Sequence, residues 1–433
     1  MVTDPTAILL LLGTFGTLIL IGTPIAFAIG ASSVITTAYM GLPLEMVAQN
    51  MVKGVNVFAF LAVPFFIIAG EIMGSGGIST RLIKLSNALV GWIRGGLAMV
   101  NIMASMFFGG ISGSSSADTS SIGSILIPMM KEDGYDGDFA TTVTMASSVQ
   151  GILIPPSQNM IIFALVAGSV SIGRLFLAGM IPGILLGVAL MIFSYFVSVK
   201  RNYPKSEGFN LVYAIKCFAS AGLGLGTVLI VVVGVVAGIF TATESASIAV
   251  IYAFIVTFFI YREIPLRAIN GILTRSLKTL SVVMILVSTA SAFGWLVAYL
   301  RIPVFIAEGL LAVTENRILI LLMINILLLL MGMVMDMASL ILILGPILLP
   351  VVTKVGVDPV HFGVVMILNL GIGLITPPVG STLFIGSAIA RIKMEDLARA
   401  MIPFYVIMVL VLLIITYVPS VVMFMPNWLM PLK

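Results

Sequence analysis

The sequence predicts an all-α, polytopic membrane protein made of two internal repeats, each interrupted by broken helices or re-entrant hairpins. Three observations predict it. Of 433 residues, 60% are hydrophobic and only 9% charged, with a mean hydropathy of +1.24, too few charges to cover a soluble protein of this size. Proline- and glycine-bearing segments recur at a single offset. Two stretches in each half combine long apolar flanks with residues that cannot continue an α-helix. Long apolar runs also exclude a transmembrane β-barrel, whose strands are short and alternating.

The offset is 222. Ile127-Pro128 matches Leu349-Pro350, Gly134-Tyr135-Asp136 matches Gly356-Val357-Asp358, and Pro155-Pro156 matches Pro377-Pro378. Leu42-Pro43-Leu44 matches Ile264-Pro265-Leu266, and Gly110 matches Gly332, in the same register. Leu, Ile and Val runs align with themselves trivially, but prolines and glycines do not. The chain therefore divides into repeats at 1–215 and 216–433. Breaks are expected near 109–118 and 152–159 in the first, and near 331–339 and 375–382 in the second. The spans alone leave open whether the repeats are inverted.

Taken in order, Ile8 to Tyr39 is one apolar block interrupted by Gly22-Thr23-Pro24, long enough to span with a bend. It lacks a basic flank, so no cleavable signal peptide is expected. Glu45 to Asn56 is polar enough to lie along the interface. Its counterpart, Pro265 to Thr279, sets Leu266, Ile269, Leu273 and Leu277 at helical spacing with Arg267, Arg275 and Lys278 between them. Phe58 to Met73 is apolar, and Arg81, Lys84 and Arg94 mark a cytoplasmic connection. Leu97 to Phe108 enters the first break and Ile122 to Met130 leaves it. Phe139 to Ile154 and Met160 to Val170 flank the Pro-Pro pair, and each arm is short for a bilayer. They suit a re-entrant hairpin or an interrupted span. Leu175 to Val199 spans fully, and Lys200, Arg201 and Lys205 place the next loop in the cytoplasm. Further spans are expected at 222–240 and 245–261, and the second repeat continues with apolar segments at 281–300, 318–334, 340–352, 361–375, 383–390 and 403–418.

The net charge of +4 is too small and too scattered for nucleic acid. Cys217, the only cysteine, excludes an internal disulfide and a thiolate metal cluster. The sequence has no phosphate-binding Gly-Lys-Ser/Thr loop and no His/Glu zinc motif. His361, the only histidine, reads as structural.

Broken helices expose N–H groups at half-helix N-termini, which hold anions, and carbonyls at C-termini, which hold cations. Ser112, Gly113, Ser114, Gly151, Pro155 and Ser157 are candidate Na⁺ ligands in the first repeat; Gly332, Thr376, Pro377, Gly380 and Ser381 are their counterparts. Neutral oxygens with few carboxylates suit Na⁺ better than a divalent ion. Ser116, Asp118, Asn159, Arg301 and Asp336 are further polar candidates for the site. Asp118 and Asp336 are intramembrane carboxylates, open to readings as proton relay, cation site or helix cap. Asp336 falls opposite Ser114 in the 222 register. Arg301 follows a long apolar segment and either meets a substrate carboxylate or marks a membrane end. Glu71 and Glu244 also read as intramembrane acids.

Five segments carry a resemblance across nearly the whole chain. They are Pro64 to Met73, Gly109 to Asp118, Ile154-Pro155-Pro156-Ser157, Thr241-Ala242-Thr243-Glu244, and Ile375-Thr376-Pro377-Pro378-Val379-Gly380. In this order they resemble the large membrane subunit of tripartite ATP-independent periplasmic (TRAP) transporters. Ala242 departs from the proline common at that turn. The resemblance implies an inverted-repeat, elevator-type transporter in the bacterial inner membrane, driven by a Na⁺ gradient. It implies a small membrane subunit, separate because none is fused here, and a periplasmic binding protein that delivers an organic acid such as a C4-dicarboxylate, sialic acid or another sugar acid. Carried over, Ser112, Ser114, Asp118 and the stretch from Thr376 to Ser381 become Na⁺ and substrate positions, with Arg301 and Asp336 at the substrate cavity. A carboxylate carrier working alone and an intramembrane Ser/Asp enzyme are the alternatives.

Overall fold

The computed structural model describes residues 4–168, 170–205, 208–314 and 316–431, and every regular element among them is helical. The first half gives α1 (Pro5–Leu20), α2 (Ile25–Tyr39), α3 (Glu45–Val55), α4 (Ala62–Ser75) and α5 (Ile78–Val90). Then come α6 (Gly96–Ser112), α7 (Ser115–Ser121), α8 (Gly123–Glu132), α9 (Gly137–Gly151), α10 (Gln158–Ala167) and α11 (Ile172–Lys200). The second half opens with α12 (Leu211–Val236), α13 (Ala242–Phe254), α14 (Ile269–Tyr299), α15 (Ile302–Val313) and α16 (Arg317–Gly332). It closes with α17 (Met337–Lys354), α18 (Pro359–Gly373), α19 (Ser381–Ala390), α20 (Met394–Tyr417) and α21 (Pro419–Leu429). Among the described residues six helices are long and apolar enough to cross a bilayer, or seven if the α4–α5 pair, bent by 70°, counts as one broken span.

Most element boundaries follow the 222 register. Both ends of α9 and α18 differ by it (359 − 137 and 373 − 151), as do the ends of α7–α8 and α17 (337 − 115 and 354 − 132). Residue 215, where the sequence divides the chain, lies inside α12.

Two expected spans fold differently. The Ile8–Tyr39 block is not one bent span: Gly22 adopts φ +88°, Pro24 starts a new helix, and α2 packs along α1. Conversely, the amphipathic stretch 265–279 and the span 281–300 fuse into α14 after a short 3₁₀ turn. In the first half Pro64, third in α4, has no N–H for the Phe60 carbonyl and crowds it, so a 3₁₀ turn at Phe58–Leu61 separates α3 from α4. Leu286 stands at the corresponding position of α14 and lets the helix run through.

The first break is a re-entrant hairpin. α9 runs parallel to α6, since Asn101 Nδ2 donates to Thr144 Oγ1 at 2.6 Å, Ser105 and Ser147 hydroxyls lie 3.0 Å apart, and Gly109 meets Gly151. The connecting α7–α8 must therefore return to the side where α6 began, where the Leu97 N–H reaches the Tyr135 hydroxyl at 3.3 Å. The 17 residues of α6 reach about 25 Å, short of the ~30 Å hydrocarbon core. The same logic holds for α16 and α17: α18 parallels α16 through Asn369–Asn325 at 2.8 Å and Gly373–Gly332.

The hairpins open to opposite faces. At the base of the first, Arg94 donates to Asn202 at 2.8 Å and Tyr203 to Asp136 at 2.7 Å, at the C-terminal end of α11. The Tyr203 hydroxyl, with Arg201 beside it, holds the Asp136 carboxyl below its usual range. The base of the second lies at the C-terminal end of α20, where Tyr417 donates to the Ile318 carbonyl at 3.1 Å and His361 meets the Ile415 carbonyl at 2.6 Å. α11 and α20 are antiparallel: Phe193 packs on Phe404, and Arg174, buried at the start of α11, binds Pro426, Asn427 and Met430 of the segment that follows α20. Arg94, Lys131, Lys200, Arg201 and Lys205 lie on the segments at the first base, the basic end that the positive-inside rule assigns to a cytoplasmic face.

The Pro-Pro segments are interrupted spans. From α9 the chain leads through residues 152–157 into α10, which packs on α17 with Val166 against Gly345. Likewise α19 leaves α18 to pack on α7 and α9, with Gly386 against Met145. A Cβ on Gly109 would lie 2.1 Å from Gly151 Cα, and one on Gly373 would lie 2.5 Å from the Gly332 carbonyl carbon. Gly109→Ala and Gly373→Ala should each cost about 1–3 kcal/mol by overpacking. Gly13→Ala, with nothing within 4 Å, should be neutral or stabilising by up to about 1 kcal/mol. Thermal unfolding of purified protein in detergent tests the contrast.

Candidate functional site

The Gly/Ser stretch 109–118 is not unwound throughout. α6 continues to Ser112 and α7 resumes at Ser115, so only Gly113 and Ser114 break the helix. Gly109 and Gly110 serve close approach instead, since a Cβ at Gly110 would lie 2.9 Å from the Pro155 carbonyl oxygen. Gly113 takes φ +60°, a left-handed conformation that glycine adopts freely, and closes α6 by donating to the Gly109 carbonyl at 2.8 Å. Ser114 then caps α7, accepting from the Ala117 N–H at 3.4 Å.

This tip rests on the first Pro-Pro loop. Gln158 Nε2 donates to the Ser112 carbonyl at 3.4 Å, and a Cβ on Gly113 would meet Gln158 N at 3.0 Å. Gly151 ends α9, Pro155 and Pro156 share a cis bond, and Ser157 precedes α10. Ser157 is fully buried, and its hydroxyl has no hydrogen-bond partner among the described residues. Asn159 sits half-buried in the first turn of α10.

The second tip repeats the arrangement. Asp336, 222 residues after Ser114, caps α17 by accepting from the Ala338 N–H at 3.0 Å. The Met333 carbonyl accepts from the Val379 and Gly380 N–H groups at 3.1 and 3.4 Å. Gly332 abuts Gly373, Pro377 and Pro378 share a cis bond, and Thr376 donates to the Ile372 carbonyl at 2.6 Å. Gly380 takes φ +51° and Ser381 opens α19. The cap reading of Asp336 is thus realised, with its carboxylate on an exposed tip.

Hydroxyls join the halves. Ser115 Oγ lies 2.7 Å from Ser148 Oγ and 3.3 Å from Thr382 Oγ1, and Ser116 Oγ lies 3.4 Å from the same threonine. Asp118 is fully buried in α7, and neither carboxylate oxygen has a hydrogen-bond partner among the described residues. Ser148 was not singled out by sequence, although it lies one turn before Gly151.

Arg301 is not drawn into this assembly. It is exposed in a turn at φ +55° between α14 and α15, and its guanidinium makes no hydrogen bond or ion pair among the described residues. The arginine beneath the first tip is Arg275. A cavity of about 460 Å³ between α4, α6, α7, α10 and α14 is lined by Ser112, Ser114, Ser121, Gln158, Glu71 and Arg275, among others. Arg275 and Thr279, one helical turn apart, both line it, a spacing visible in the sequence but read there as an interfacial face. Glu244 is no free intramembrane acid: it completes a capping box with Thr241, accepting from that residue's N–H at 2.8 Å. Four half-helix N-termini and four C-termini thus converge on two tips, the arrangement that holds small anions and monovalent cations.

Residues 12–421 match the family described as "Tripartite ATP-independent periplasmic transporter, DctM component". The chain belongs to that family. It is 41% identical over 423 residues to the isethionate TRAP transporter permease protein DctMQ of Oleidesulfovibrio alaskensis, covering 97% of this chain and 66% of that one. It is 38% identical over 413 residues to the sialic acid TRAP transporter large permease protein SiaM of Vibrio cholerae, covering 95% of this chain and 96% of that one. In fold it is similar to the YdaH transporter of Alcanivorax borkumensis, with a TM-score of 0.65 at 15% identity over 95% of this chain and 98% of that one. This TRAP permease component is a multi-pass inner-membrane transport protein, not an enzyme.

Because Asp336 caps α17 whereas the Arg301 side chain has no hydrogen bond or ion pair among the described residues, the two should separate in stability. Asp336→Ala should lose about 1 kcal/mol, and Arg301→Ala should stay within about 0.5 kcal/mol of the parent, by thermal unfolding in detergent.

Proposed function

We propose that this permease carries an organic acid across the inner membrane as a Na⁺ symporter, by elevator-type alternating access. The observation that carries this reading is the pair of hairpin tips, each resting on a Pro-Pro loop, whose bases face opposite sides. Together with the 222 register, that geometry supports inverted repeats at 1–215 and 216–433. α6–α11 and α16–α20 form the moving unit, and α4 and α14 flank it.

Na⁺ is cargo in this scheme. Ser112, Gly113, Ser114, Gly151, Pro155 and Ser157 supply neutral oxygens at the first tip; Gly332, Thr376, Pro377, Gly380 and Ser381 supply them at the second. Hydroxyl and carbonyl oxygens without clustered carboxylates match a monovalent ion. The buried, unpartnered Ser157 hydroxyl fits a ligand role. Ser116, Asp118, Asn159, Asp336 and, once the unit has moved, Arg301 are assigned to the substrate. The relatives named for isethionate and sialic acid both handle organic anions. A periplasmic binding protein delivers the acid, and a small membrane subunit braces the large one in the bilayer.

Uptake into proteoliposomes tests the scheme, using this chain with its small subunit and binding protein. It should require both an inward Na⁺ gradient and the binding protein. Uptake with Na⁺ alone would favour a stand-alone carrier, and uptake indifferent to Na⁺ would refute the coupling. Ser157→Ala removes a hydroxyl with no hydrogen-bond partner among the described residues. It should leave the melting temperature unchanged and raise the Na⁺ concentration for half-maximal uptake severalfold, by about 1 kcal/mol of lost ligation.

A further inference from the structure

We propose that Arg275 is an anion-docking residue on the substrate path, held by Glu71 until an organic anion displaces it; this rests on the organic-anion reading above. Its guanidinium lies beneath the first tip, where Nε donates to Glu71 Oε2 at 3.0 Å and Nη2 to Ser75 Oγ at 2.9 Å. Nη1 has no hydrogen-bond partner among the described residues. Arg275 is the only cation and Glu71 the only acid among the residues lining the cavity. The facing wall offers Ser112, Ser114, Ser121 and the Gln158 amide. A guanidinium fork matches the oxygens of a carboxylate or sulfonate, and a volume of about 460 Å³ lies within the ligand-pocket range of roughly 300–1,000 Å³.

The pair is built to exchange. The Arg275 and Glu71 side chains are 54% and 32% exposed, so the pair is not sealed in the packing and a substrate anion in the cavity can compete for the fork. Glu71 keeps the cavity neutral when it is empty. Further cations lie on the adjoining segments: Arg81, paired with Glu263 and stacked on Tyr261, together with Arg262, Arg267 and Lys278. Such a field favours an anion held in the cavity, whichever side it came from. The repeat register adds a second sign: Lys53, exposed on α3, stands 222 residues before Arg275. Each half thus carries a cation at this position of its amphipathic segment, in line with one docking cation for each open side.

The test is the KM for uptake of isethionate, sialic acid and succinate in proteoliposomes holding the chain, its small subunit and its binding protein. Arg275→Gln should raise KM about tenfold with a smaller change in kcat, and Arg275→Lys should fall between. Glu71→Gln should lower KM, because it releases the fork. A purely structural ion pair would shift both variants the same way and lower both melting temperatures, which would overturn the inference. If Arg275→Gln fails to fold, Arg275→Lys and Glu71→Gln decide by the same opposite signs. An unchanged KM in variants of an active transporter would overturn the inference and leave the transport reading standing. No uptake of any of the three acids by the parent would overturn both.

Discussion

A broken helix in a bilayer must hide its unpaired backbone groups, and here everything depends on where they are hidden. Each hairpin tip lies against the unwound Pro-Pro loop of its own half, and the two sets of orphan donors and acceptors partly satisfy one another. The Met333 carbonyl takes the Val379 and Gly380 N–H groups, and the Ser112 carbonyl takes the Gln158 amide. Contact this close requires backbone on backbone, which glycine pairs Gly109–Gly151 and Gly332–Gly373 permit. Among the described residues the buried Ser157 hydroxyl stays without a hydrogen-bond partner.

The two tips are alike in construction but not in surroundings. The first is covered by α4, whose Gly70 approaches the Ile111 carbonyl, and it looks into the cavity with Glu71 and Arg275. The second leaves Val334, Asp336, Val379 and Ser381 exposed. One sequence motif therefore meets two environments in a single conformation, as expected if the tips exchange surroundings during transport. The cap residues differ accordingly, a neutral serine at the covered tip and a carboxylate at the open one.

Much of this was legible in the sequence. The 222 register, carried by prolines and glycines, foretold the boundaries of α9 against α18 and of α7–α8 against α17, and Pro-Pro marked where two helices break. Composition could not separate glycines that unwind a helix from glycines that let helices touch, so 109–118 read as a long break when only Gly113 and Ser114 depart from helix. Hairpin and interrupted span also look alike in hydropathy; the choice is made by tertiary pairings such as Asn101–Thr144 and Asn325–Asn369. Arg275 was missed as a site residue for a related reason. On an amphipathic stretch a cation reads as interfacial, and only the fusion of that stretch into α14, permitted by Leu286 where α4 has Pro64, turns it toward the cavity.

The central claim is that the hairpin unit moves as one body along α4. The most direct measurement is a reversible cross-link across that boundary. Gly70→Cys and Ile111→Cys stand where α4 meets α6, a Cβ on Gly70 lying 3.4 Å from the Ile111 carbonyl oxygen, and Cys217→Ala removes the only native thiol. A control pair within the unit, Ser105→Cys with Ser147→Cys, replaces hydroxyls 3.0 Å apart. The account predicts that oxidation abolishes uptake by the 70–111 variant, that reduction restores it, and that the 105–147 variant transports in both states. Undiminished uptake with the 70–111 bridge closed would contradict it.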